Sequence, residues 1–381
     1  GVSTALHLQK EHPELAGRTL LLEKETFPRE KYCAGGLGNR ALLRLARLGV
    51  QPGVPMVPVR RVELRMPNYQ MSVEEPDFGG VVRRMEFDHA LVRAYVQRGG
   101  VLREGAKVES VEPGGIGVRL RLVGGEELQA KAVVGADGVS GVVRRSCGFS
   151  GGVYRAQVLE TDTDPAEGDP PRDTIRFDAS WPDFQGYAWD FPTLVQGREL
   201  VCRGMYLIRT AGEGNLKERL RDYLAVRGLD IKNYRLKPFG ERGYSVTEPL
   251  ARDRVLLAGE AAGIDIATGE GIAQAIAYGA LAAPYLAEAF RRNRLDFSDW
   301  TRRVRMSGLG KNLLGRLVMY HCFYGDRRRR AGTEGLLHGS PAILEAFARG
   351  FSGRGPDVRF LARLAAGLPR GLAEAAGAAV R

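Results

Sequence analysis

Apolar residues follow two rhythms along this chain. In "GVSTALHLQKEHPE" Val2, Ala5, Leu6 and Leu8 recur near helical spacing, and beyond Gly17 the run "TLLLEKE" reads as a short strand ending at Glu23. In "RRMEFDHALVRAYVQRGG" Phe87, Leu91 and Tyr95 recur at every fourth position, which predicts a helix with one buried face. Ala132 to Val134 form a short apolar strand that runs into Gly135, Asp137 and Gly138. "RVLLAG" repeats that design, leading through Glu260, Gly263, Gly269 and Gly271 into the apolar helix "IAQAIAYGALAA" at Ile272. From Gly151 to about Tyr244, short β-rich runs such as "DTIRFD" and "ELVCRGMYLI" alternate with turn clusters. After Ala283 the pattern becomes helical again and rich in Arg, Leu and Ala.

A strand that ends in glycines and then enters a helix brings bare backbone N–H groups up to something bulky and anionic. The stretch "GEAAGIDIATGEGI" therefore reads as a cradle. A helix opening on Gly1, with a strand ending in Glu23 22 positions later, is the back half of a dinucleotide-binding βαβ unit. Only the last glycine of G-x-G-x-x-G is present, so the innermost strand belongs before Gly1.

Composition narrows the classes. The chain has 381 residues, 44% hydrophobic and 27% charged, which suits a globular protein of two joined domains rather than a disordered one. A net charge of +11 invites an anionic partner, but it is spread along the chain, with "RRRR" at Arg327 to Arg330 the one dense block. No aromatic-interleaved basic motif accompanies it, which argues against nucleic acid. Cys33, Cys147, Cys202 and Cys322 lie far apart without zinc spacing, so no metal is expected and free thiols suit a reducing cytoplasm. Nothing resembles a signal peptide, and no apolar run reaches the roughly 18 residues of a membrane span.

Taken together, the three glycine-rich turns resemble those of the flavin-dependent oxidoreductases of the p-hydroxybenzoate hydroxylase superfamily, and within it the geranylgeranyl reductase family. The resemblance runs from Gly1 to about Ala283. It implies a mixed α/β fold: a Rossmann-like FAD-binding domain in two parts (1–150 and 245–290), an inserted β-sheet substrate domain (151–244) and a helical C-terminal region (291–381). It places the FAD pyrophosphate at Gly1, the adenosine ribose at Glu23, and the "GADG" turn with Asp137 and Gly138 beside the cofactor. Gly259, Glu260 and Gly263 would meet the ribityl and pyrophosphate portion, and Gly269, Gly271 and Ile272 the flavin pyrimidine ring. The chain departs from the pattern at Glu260, where the family has Asp, at Ile266 or Ala267, where it has proline, and at Gly141, where it has serine.

"FPREKYCAGGLGNR" resembles the family loop that passes the reactive face of the flavin, with a helix starting near Asn39 and Arg40. Cys33 occupies the loop's cysteine position, either as a reactive thiol whose thiolate Arg29 and Lys31 would favour or as a small buried residue. Arg40 is a candidate for the cofactor phosphates or a substrate diphosphate, and Arg84 for the adenine side of FAD. "GYAWDFP" resembles the reductase signature Y-x-W-x-F-P, whereas the W-x-W-x-I-P form of the halogenases is absent. Alternation puts Tyr187, Trp189 and Phe191 on one face of a strand, either as plain core or as the wall of an apolar substrate tunnel. No hydrolytic triad stands out, which suits an enzyme whose cofactor performs the chemistry. Cys33, Tyr187 and Trp189 are thus the expected catalytic residues. The resemblance implies reduction of carbon–carbon double bonds in an isoprenoid or other apolar substrate, with FAD monooxygenation as the alternative and ligand binding without turnover as a third reading. Electrons would come from NAD(P)H or from a separate reductase or ferredoxin. The arginine-bearing tail helices suit a lid, a surface on anionic lipid, or simple packing on the body.

Overall fold

The computed structural model describes residues 1–381 apart from Pro182, 209–214, 325–326, 355–356 and 381. Two small sheets carry parallel pairs. Leu20–Leu22 pairs in parallel with Val101–Arg103. Val133–Gly135 pairs in parallel with Val255–Leu257, to which Ala251–Arg252 adds an antiparallel edge. Gly1 stands between the two sheets: a Cβ there would lie 3.3 Å from Leu21 and 3.8 Å from Ala136. The helix Val2–Glu11 starts at that point and packs on the long helix Ile272–Arg291. Their approach is close because Gly279 has no side chain where Ser3 lies, and Ser3 Oγ donates to the Ile276 carbonyl at 2.9 Å. Phe87, Leu91 and Tyr95 of the helix Arg84–Gln97 are buried as their spacing predicts.

An eight-stranded sheet faces this unit, in the order Lys237–Arg242, Arg155–Thr163, Arg198–Ile208, Gly186–Val195, Thr174–Asp178, Met56–Met66, Tyr69–Val82, Gly36–Gly38. Neighbours run antiparallel except Thr174–Asp178 with Met56–Met66. The sheet reaches beyond residues 151–244, because three of its strands lie at 36–82. Val57, Val59 and Val62 bury one face of the strand Met56–Met66, but a bulge between Val59 and Arg61 shifts the alternation and hides the strand in the sequence pattern.

The tail forms the helices Trp300–Met306, Gly308–Phe323, Arg327–Gly339, Ala342–Ser352 and Val358–Val380. The first four pack on the body, and Val358–Val380 packs on Arg327–Gly339. Trp300 is fully buried and donates from Nε1 to the Leu257 carbonyl at 3.1 Å, while Leu344, Ala348 and Phe351 join the apolar cluster of the large sheet. Arg330 of the "RRRR" block is buried and donates to the carbonyls of Phe184 (2.7 Å), Ala179 and Trp181 (both 2.9 Å). Among the described residues no helix is long and apolar enough to cross a membrane.

Candidate active site

The glycine cradle is held in shape by bonds that reach it from three directions. Asp265 Oδ1 accepts the backbone N–H groups of Ala267 (2.7 Å) and Thr268 (3.3 Å), closing the loop on itself. Three tyrosines then donate to consecutive carbonyls: Tyr206 to Ile266 (3.1 Å), Tyr324 to Ala267 (3.0 Å) and Tyr187 to Thr268 (2.7 Å). Two of them come from the large sheet and one from the tail helix Gly308–Phe323, next to its end. From the same helix, Arg316 donates to Glu270 at 3.2 Å and lies 3.5 Å from Asp265, and Arg40 also pairs with Glu270. This clamp stands where the family pattern has a proline, so cross-chain hydrogen bonds rather than a fixed φ hold the turn.

Between the turn and the large sheet lies a cavity with an empty volume of about 650 Å³, its open mouth included. Cys33 and Gly36 form one wall, Thr268 to Ile272 a second, and Tyr187, Trp189, Phe191 and Tyr206 a third. Alternation along Gly186–Val195 does place Tyr187, Trp189 and Phe191 on one side. Tyr187 stacks on Tyr206 with centroids 5.1 Å apart, and Phe177 meets Tyr187 and Phe191 edge-on at 5.4 Å. Two polar atoms at this cavity are sealed from solvent without a hydrogen-bond partner among the described residues, Trp189 Nε1 and Glu241 Oε2. Thus the expected residues Cys33, Tyr187, Trp189, Gly269, Gly271 and Ile272 share one space.

The other expected residues do not line that cavity but trace two paths to it. On the first, Gly1 adjoins Ala136, Gly138 bends the chain at φ +79° 3.6 Å (as an added Cβ) from Glu260, and Lys31 pairs with Glu260 at 3.3 Å. Asp137 itself accepts the Val143 N–H at 2.9 Å, and any side chain at Gly141 would run into its carboxylate, which explains the glycine where the family has serine. Gly259 and Gly263 turn at φ +61° and +105°. On the second path, Arg29 bridges Glu23 (3.0 Å) and Asp88 (3.2 Å), and Arg84 grips Asp88 with two bonds of 2.8 and 2.9 Å. A second hollow lined by Lys31, Arg83, Arg84, Glu160 and Lys237 shares Cys33 with the first.

A dinucleotide fits this arrangement. The helices beginning at Val2 and Ile272 both lack a side-chain cap, leaving their first N–H groups and positive dipole ends open to phosphate or to a reduced flavin ring. Gly269, at φ +70°, keeps the turn bare: a Cβ would come within 3.1 Å of both Glu241 and Tyr206.

The surroundings of Cys33 correct the expectation of a thiolate. Arg29 and Lys31 are committed to carboxylates elsewhere. Burial pushes the thiol up, and Glu160 and Glu241 push the same way against Arg84. Cys33 is therefore a neutral thiol, its Sγ accepting the Gly35 N–H at 3.4 Å. Behind it, Glu160 accepts the Cys33 N–H at 2.9 Å, and burial raises this carboxyl to about 7 despite Lys237. Glu160, Glu241, Tyr206 and Arg316 are the site residues that sequence reading missed. Each is a single polar residue in a stretch without a motif; the alternation of Phe239 and Glu241 in "KPFGER" was the one local sign.

Comparison with known proteins agrees with this geometry. A family profile described as FAD binding domain matches residues 68–298. The chain is 30% identical over 312 residues to the digeranylgeranylglycerophospholipid reductase of Methanosphaerula palustris, covering 74% of this chain and 73% of that protein. A geranylgeranyl bacteriochlorophyll reductase-like protein of Thermoplasma acidophilum superimposes with a TM-score of 0.66 at 21% identity, covering 99% of this chain and 96% of the other. The halogenase PltM in complex with phloroglucinol and FAD has the same TM-score, 0.66, at 14% identity over 95% of this chain and 83% of its own. The cradle, the aromatic wall and these likenesses lead to one assignment: the chain belongs to the FAD-binding-domain family, as a geranylgeranyl reductase-like FAD-dependent oxidoreductase.

Proposed function

We propose that this flavoenzyme reduces carbon–carbon double bonds in a long apolar substrate of isoprenoid or lipid-like character. The observation that carries the reading is that the aromatic face of "GYAWDFP" and the turn Thr268–Ile272 line the same cavity. Bound FAD supplies hydride chemistry once reduced. Around it, the open N-termini at Val2 and Ile272 hold phosphate and ring charge, Glu23 takes the ribose hydroxyls, and Gly138, Gly259 and Glu260 border the ribityl chain. Arg40 acts on the turn through Glu270, and Arg84 orders the adenine side through Asp88. Tyr187 and Trp189 hold the apolar chain against the turn and keep water away from the reacting carbons. Cys33 adds a neutral, weakly polar wall. NAD(P)H or an external reductase delivers the electrons. The four free cysteines suit a reducing cytoplasm, and an apolar substrate suits a peripheral contact with the membrane that stores it.

Oxygenation or halogenation of a natural product is the second reading, favoured by the fold shared with PltM. The absent W-x-W-x-I-P form and the higher identity to the archaeal reductase weigh against it. Trp189→Leu keeps the strand apolar while trimming the wall, and we expect it to raise KM for an isoprenoid alkene about tenfold, ~1.4 kcal/mol, at unchanged flavin content. An unchanged KM would place Trp189 in the core rather than in the substrate wall.

A further inference from the structure

We propose that Glu241 is the catalytic acid, delivering its proton from the strand Lys237–Arg242 to the substrate carbon that does not receive hydride. This rests on the reductase reading above. Glu241 lines the cavity together with Phe239, its neighbour on the same face of that strand. Its Oε2 is shut off from solvent and has no hydrogen-bond partner among the described residues, although Asp265 and Glu270 nearby are each bonded to guanidinium or backbone groups. The carboxyl abuts the turn Thr268–Ile272 that would meet the flavin, 3.1 Å from where a Gly269 Cβ would stand.

A carboxylate oxygen sealed from water without a partner is costly, so the group keeps its proton. Burial drives its affinity for the proton well above the usual carboxyl range, with Glu260 and Asp265 pushing the same way and Tyr206 and Lys31 opposing. A neutral carboxyl facing an apolar substrate is what protonation of an alkene requires. Cys33 is less suited, since its thiol is a weaker acid made weaker still by burial.

The chemistry balances. One alkene carbon would take the hydride that bound, reduced FAD supplies, leaving the flavin oxidised, and the other would take the Glu241 proton. Two C–H bonds form, the π bond, the flavin–hydrogen bond that carried the hydride and the carboxyl O–H bond break, and water restores the proton to the carboxylate.

Two readouts test this. The infrared difference spectrum of wild type minus Glu241→Gln at neutral pH should contain a protonated-carboxyl stretch beyond the one that Glu160 contributes to both proteins, and wild type minus Glu260→Gln should contain none. In the second, dithionite-reduced holoenzyme is mixed anaerobically with geranylgeraniol. Flavin reoxidation should be at least tenfold slower in Glu241→Gln at equal flavin content, with Glu241→Asp, which keeps a titratable proton, retaining more of the rate. An infrared band unaffected by Glu241→Gln, or an undiminished rate in that variant, overturns the assignment alone. Wild-type protein that shows the band yet is not reoxidised by the alkene overturns the reductase reading, and the acid's role with it.

Discussion

Asp190→Ala is expected to destabilise the protein by about 3–5 kcal/mol, because it leaves buried guanidiniums without their counter-charge. Asp190 shares the strand Gly186–Val195 with the aromatic wall but points to the other face, where it is fully buried. It accepts from Arg203 (2.7 Å), Tyr223 (2.8 Å), Arg227 (2.9 Å) and Arg176 (3.4 Å). Asp169 and Glu63 extend the cluster, pairing with Arg203 and Arg176, and Arg65 reaches Glu63 at 3.4 Å from its edge. Burial alone would raise the Asp190 carboxyl; Arg227 and Arg203 outweigh it and hold the group below its usual range, so it stays ionised at neutral pH. Its contribution is present above the ordinary carboxyl pKa and is lost as pH falls through the depressed one. Urea unfolding at pH 7 measures the change. A loss under about 1 kcal/mol, the range of an exposed ion pair, would mean that the cluster does not hold the strand.

Gly269→Val is expected to cost the protein its cofactor. Valine at φ +70° is a backbone outlier, and its branches would press on Glu241 and Tyr206. The turn must move, taking the N–H groups of the Ile272 helix start with it. Each charge-assisted bond lost is worth roughly 1.5–3 kcal/mol, about ten- to a hundredfold in affinity. Flavin absorbance after dialysis reads the outcome. Full occupancy in Gly269→Val would show that the turn does not touch FAD.

The glycine turns and the aromatic alternation were legible because each is local: a strand, a glycine needing positive φ, a helix start. The same is true of the buried stripe Phe87, Leu91 and Tyr95. What could not be read depends on residues far apart in the chain. The charged partners of Asp190 are Arg176 and Arg203 on two other strands and Arg227 in a turn. The three tyrosines that clamp the turn lie at 187, 206 and 324, and nothing in their neighbours marks them as donors to one loop. The thiolate expected at Cys33 failed for the same reason. Sequence proximity of Arg29 and Lys31 suggested positive charge, whereas the fold turns both toward carboxylates and surrounds the sulfur with buried acids. Strands at 36–82 joined the large sheet unannounced, since a bulge and the charged pairs Arg60–Arg61 and Glu74–Glu75 broke the alternation of the two longer ones.

The most direct test of the central claim is the fate of the reduced flavin. Holoenzyme reduced with dithionite under strict anaerobiosis and mixed with an isoprenoid alkene should return to the oxidised flavin spectrum, with one double bond saturated per flavin reoxidised. Flavin that stays reduced until oxygen is admitted, and then yields a hydroxylated or halogenated product, would contradict it.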